Sequence, residues 1–165
     1  MDVVSHILIG TVLGSASAAS PGDIATITLF SLLPDLFQMP LYLRVGEEYH
    51  RYFWISHDKD WRGFRGHHPF WSDLWEIPHS LLFLVFIITP FVLYFHLPRM
   101  AIAAYFSHIF MDIWTHKGEW RMKPFYPFRW EINGLTNMWA WSWRKMLVSW
   151  AVLVALLMMV NRLII

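Results

Sequence analysis

Ala101–Ile113 reads AIAAYFSHIFMDI, an apolar stretch with one histidine and one acid, His108 and Asp112, four residues apart. That spacing puts both side chains on one face of a helix. A second acid, Asp35, stands in Thr28–Phe37, TLFSLLPDLF, again inside an apolar segment. An ionised carboxylate at the centre of an inserted helix costs roughly 2.5–3.5 kcal/mol on insertion scales, so each of these acids calls for a partner or a task. Ionisable groups within such segments are read first as functional sites.

Composition supports a membrane setting for these segments. The 165 residues are 56% hydrophobic and 15% charged, with eleven Trp and thirteen Phe. A soluble domain carries about 25% charged residues, so this chain is short of polar surface. A net charge of +1 gives no nucleic-acid footprint, and no nucleic-acid partner is expected. The absence of Cys excludes disulfides and thiolate metal sites. The N-terminus is apolar from Val3 without a basic leader, and reads as a retained first helix.

Five apolar segments follow: Val3–Ala19, Ile24–Leu43, His79–Leu97, Arg99–Thr115 and Met146–Ile165. Each is long enough, at about 17–22 residues, to approach the span of a ~30 Å hydrocarbon core. The expected fold is all-α: a single membrane-embedded domain, 1–165, of about five apolar helices with two polar loops on one face. Gly10 and Gly14 permit close helix approach. Pro34 is expected to kink or break the second helix just before Asp35. Arg44–Pro78 holds five Lys/Arg and Lys117–Lys145 holds six. With five spans, both basic stretches and the N-terminus fall in the cytoplasm by the positive-inside rule, in a prokaryotic inner (plasma) membrane. His6, His79, His108, Asp112 and His116 then converge towards one membrane face, with Asp35 partway along the broken helix.

Imidazole and carboxylate together suit zinc and similar divalent ions. The sequence also carries, in order, Asp2-x-x-Ser5-His6, Leu33-Pro34-Asp35, Pro78-His79-Ser80-Leu81 and His108-x-x-x-Asp112-x-x-Thr115-His116-x-Gly118. This ordered set resembles the membrane-bound metal-dependent hydrolases, a family distantly similar to the zinc-dependent phospholipase C and single-strand nuclease superfamily. The resemblance covers Met1–Trp143. It implies an all-helical fold and a centre of two or three divalent metals, zinc or manganese, with His6, Asp35, His79, His108, Asp112 and His116 as ligands. Asp35 is the expected catalytic carboxylate, bridging the metals or orienting water. The expected activity is phosphoester hydrolysis on a lipid or lipid-linked substrate that arrives along the bilayer.

Plainer readings stand beside these. His108 and Asp112 also fit a buried ion pair that orders the bundle. Asp35 after Pro34 fits an N-cap, and Asp2 fits one better than it fits a ligand. His50, His57, His67, His68 and His96 read as solvated or interfacial. Arg62 and Arg65 fit either an anionic substrate or lipid phosphates. Trp139-Ala140-Trp141-Ser142-Trp143 reads as an interfacial belt. A small transporter with a carboxylate–histidine relay, or a non-catalytic membrane scaffold, are the alternative functions.

Overall fold

The computed structural model describes residues 2–49 and 58–164. Within them the chain is all-helical, a membrane helical bundle with no strand beyond a single bridge between Met122 and Ile132. His50 and His57 lie outside the described residues, as does the Arg62 side chain.

Helix α1 (Val3–Ala16) starts where Asp2 accepts a hydrogen bond from the Ser5 amide at 2.9 Å. Helix α2 (Pro21–Leu36) starts behind Ser20, which accepts from the Asp23 amide, with Pro21 preset for the first turn. The two helices lie against each other because α1 presents glycines. A Cβ on Gly10 would sit 2.5 Å from Ser31 Oγ and 2.8 Å from Thr28 Cα. One on Gly14 would sit 3.1 Å from Ile24 Cα. The small-residue pair is thus used inside the chain.

Pro34 does not break α2. The helix runs through it to Leu36, and a short break follows at Phe37 and Gln38 before α3 (Met39–Glu48). Proline costs a helix one backbone donor and a clash one turn back. A break comes one turn later, where Phe37 and Gln38 bond back to Leu33 and Asp35 and Pro40 opens the next helix. Asp35 is therefore inside α2, and no N-cap.

Helices α4 (Asp58–His67) and α5 (Pro69–Glu76) occupy much of the first basic stretch. A turn carrying Pro78 and His79 leads to α6 (Leu81–Tyr94), whose Ser80 cap accepts from Leu82. Its middle, Leu84–Ile88, widens into a π turn, where Pro90 has no amide to bond back to Phe86. Helix α7 (Met100–Thr115) buries Ala101, Ala104, Tyr105, His108, Ile109, Asp112 and Thr115, one continuous stripe. Phe30, Leu84, Ile88 and Val92 complete that core. Helix α8 (Trp143–Ile164) is apolar and largely exposed, as expected of a lipid-facing span.

The sequence leaves open whether every apolar segment spans fully. Among the described residues, two helices are long and apolar enough alone, Pro21–Glu48 and Trp143–Leu163, and α5 with α6 adds a third if that 55° bent pair counts as one. Helix α1 has 14 residues and α7 has 16. At 1.5 Å per residue they reach about 21 and 24 Å, short of the hydrocarbon thickness. Ser17–Ser20, Pro78–Ser80 and Pro98 cut these segments before they reach full length. The two basic stretches are also more than solvated loops: Phe64, Trp75 and Trp120 pack with Leu41 and Val45 in a second core.

Candidate metal centre

The start of α1, the end of α2, the turn before α6 and the end of α7 meet at one end of the bundle. Asp112 is the hub and is buried. Its Oδ2 lies 3.4 Å from His79 Nε2 and 3.3 Å from His108 Nε2. Its Oδ1 lies 3.4 Å from His6 Nε2 and 3.7 Å from His116 Nδ1. His79 Nε2 and His108 Nε2 are 3.2 Å apart, and Asp35 Oδ1 is 3.8 Å from His108 Nε2. The structure thus brings together all six residues singled out in the sequence. Asp35, with its side chain 16% exposed, lies nearest the outside.

Backbone carbonyls orient the rings. His108 Nδ1 is 2.7 Å from the Ser31 carbonyl and His79 Nδ1 is 3.0 Å from that of Trp75. Each Nδ1–H donates there, which leaves Nε2 with a lone pair aimed inward. Ser31 Oγ in turn donates to the His6 carbonyl at 2.6 Å, tying α1 to α2 beside the site. His6 stacks on His108 with ring centroids 3.6 Å apart, and neither of its ring nitrogens has a hydrogen-bond partner. His116 turns Nδ1 to the Asp112 carbonyl at 2.9 Å, so it offers only Nε2 to a ligand. Burial holds its imidazole well below the ordinary value, in the neutral form.

Several ligand-type nitrogen and oxygen atoms therefore converge on one buried point. Buried polar groups gathered this closely call for a shared proton or a cation. A tetrahedral zinc with bonds of about 2.0–2.1 Å has ligand–ligand edges of about 3.3–3.4 Å. The triangle of His79, His108 and Asp112, with edges of 3.2, 3.3 and 3.4 Å, has that size. The donor atoms of His6, Asp35 and His108 form a second group, all within 4.8 Å of one another.

Two contributors were not visible in the sequence. The Gln38 side-chain amide nitrogen lies 2.9 Å from His79 Nδ1, on the ring edge that also faces the Trp75 carbonyl. Gly134 brings a distant segment against the end of α7: its amide donates to the His116 carbonyl at 2.9 Å, and Leu135 donates to Trp114 at 3.0 Å. Neither residue has a spacing relation to the histidines, so no sequence signal marks them.

A family model described as YdjM inner membrane protein matches residues 1–164. The chain belongs to that family. As a YdjM inner membrane protein it resides in the lipid bilayer, in keeping with its apolar helices. The match overturns the resemblance to the metal-dependent hydrolases and the phospholipase C and nuclease superfamily. Its short motifs mix site residues with helix caps: Asp2 caps α1 and Ser80 caps α6, positions that any helix start fills with the same residue types. No curated protein and no solved structure matches this YdjM family member.

Proposed function

We propose that this chain is a membrane-embedded metal-dependent hydrolase. The observation that carries the reading is the triangle of His79 Nε2, His108 Nε2 and Asp112 Oδ2 at zinc-like separations, with three protein donors and one vertex open. The two oxygens of Asp112 face different histidines, so Asp112 would help to hold divalent ions together with His79 and His108 on one side and His6 on the other. Such ions would supply Lewis-acid polarisation of an ester oxygen and a more acidic water. Asp35, the most exposed of the group, is the general base that takes the proton from that water. Leu36 and Phe37 beside it are exposed, which favours a lipid or lipid-linked phosphoester approaching along the bilayer. Gathering the acids at one end of the bundle, instead of along a path across it, favours hydrolysis over a relay of ions. In this reading the N-terminus and both basic stretches face the cytoplasm.

Elemental analysis of the protein purified in detergent, together with hydrolysis of a panel of phospholipids and lipid-linked phosphates, tests the proposal. Bound zinc or manganese at one or two ions per chain, lost with activity in His108→Ala, is the expected result. Metal-free protein whose phosphoester turnover is unchanged in His108→Ala would overturn it.

A further inference from the structure

The stretch after α7 carries an exposed apolar knuckle that the proposed hydrolysis does not use. An antiparallel bridge between Met122 and Ile132 closes its base: the Met122 amide donates to the Ile132 carbonyl at 3.3 Å, and the Ile132 amide donates back at 2.9 Å. Within the loop the Tyr126 amide donates to the Lys123 carbonyl and the Phe128 amide to that of Phe125, both at 2.9 Å. The Phe125 and Trp130 rings stack with centroids 5.3 Å apart. At the tip Pro127, Phe128, Arg129 and Trp130 are all exposed, Phe128 by 66% and Trp130 by 65%. The backbone of the tip is thus held in place, and two large aromatic side chains are left pointing outward.

The loop is fastened to the start of α6. The Ser80 hydroxyl donates to the Tyr126 carbonyl at 3.0 Å, and the Leu81 amide donates to the Pro124 carbonyl at 2.7 Å. Further along the same helix, Val85, Phe86 and Ile87 are exposed apolar side chains of the kind a bilayer covers. At 1.5 Å per residue they lie about 8–10 Å along α6 from Ser80. The headgroup layer on each side of the hydrocarbon core is about 5–8 Å deep. The loop is therefore fastened at the depth where aromatic side chains collect and where an arginine reaches lipid phosphate.

We propose that this loop is an interfacial anchor: Phe128 and Trp130 enter the bilayer at the boundary of headgroups and acyl chains, and Arg129 meets a lipid phosphate. Exposed apolar side chains of this size mark contact with a membrane or with a protein. Two observations favour lipid. The loop is bonded directly to the helix whose exposed apolar side chains lie about one headgroup layer away. Arg129 also stands between the two aromatics, so a two-fold contact between copies of the chain through this tip would bring two guanidinium groups together. The anchor goes beyond the hydrolase reading and does not depend on it. Its consequence for the histidine cluster is depth. His79 immediately precedes Ser80, so an anchored loop seats that end of the bundle at headgroup level.

Site-directed spin labelling tests the anchor, since the chain has no cysteine of its own. Phe128→Cys, Trp130→Cys and, as the lipid-facing reference, Phe86→Cys are labelled in nanodiscs of phosphatidylcholine mixed with phosphatidylglycerol. Collision of each label with oxygen, which concentrates in lipid, is compared with its collision with a neutral, water-soluble nickel chelate. The expected result is an oxygen-to-nickel ratio at both loop positions above that of the free label in buffer and approaching that at Phe86→Cys. Ratios equal to that of the free label place the tip in water and overturn the anchor. Labels that neither reagent reaches show the tip covered by protein, a second copy included, and overturn it as well. Arg129→Glu in the Phe128→Cys background is expected to lower the ratio by about twofold or more in these anionic discs. An unchanged ratio there overturns the phosphate contact. None of these ratios depends on bound metal, so the anchor and the hydrolase reading stand or fall separately.

Discussion

Asp112 accepts from or faces four histidines through two oxygens, so its substitution separates the roles in the cluster. Asp112→Asn preserves shape and removes the charge. In the metal-centre reading it lowers bound zinc by at least tenfold, measured by elemental analysis, while the helical circular dichroism stays intact. Gly10→Ala acts from a distance. The added methyl meets Ser31 Oγ, which donates to the His6 carbonyl, and the Ser31 carbonyl holds His108. Overpacking of this kind costs about 1–3 kcal/mol. A lowered thermal midpoint together with weaker zinc retention is expected, and a midpoint equal to the parent's would contradict the contact. These residues differ in how readable they are from sequence. His108 and Asp112 stand out because a polar pair in an apolar helix has few explanations. Gln38 does not, since a glutamine at a helix break is unremarkable until His79 is found against it.

The elements divide in the same way. Helices α1, α2, α7 and α8 were legible from apolar runs, caps and prolines. The break at Phe37 and Gln38 was not, because Pro34 marks a weak turn but the backbone bonds of α2 run past it to Leu36. How many of the apolar segments span fully was not legible for a related reason: hydropathy runs through turn residues that backbone geometry uses as ends. The segment around Gly134 shows what sequence hides at this scale. A Cβ there would meet the carbonyl oxygens of Ile113, His116 and Trp114 at 2.5, 2.6 and 2.9 Å. Backbone oxygens cannot move aside as side chains do, so Gly134→Ala lifts this segment from the end of α7. We expect faster amide exchange at Gly134, Leu135 and Thr136 in that variant, with α1 and α2 unaffected. Equal protection in both proteins would refute the clasp.

For the molecule as a whole, the orientation in the membrane is open to direct test, because the chain has no cysteine to remove first. Ala16 and Leu135 are at opposite ends of the bundle, one ten residues along α1 from His6 and the other beside the end of α7. With the histidine end towards the cytoplasm, an impermeant thiol reagent labels Ala16→Cys in intact cells. It reaches Leu135→Cys only after permeabilisation. The opposite pattern would invert the proposed topology and place the centre on the outer side.

The last helix also returns to the first. Trp150 Nε1 donates at 2.9 Å to Asp2, the acid that caps α1 four residues before His6. Synthesis proceeds from the N-terminus, so the histidine of α1 enters the membrane long before Trp150 leaves the ribosome. The hydrogen bond that steadies the start of α1 thus joins residues 148 positions apart, and it forms only once Trp150 has been made.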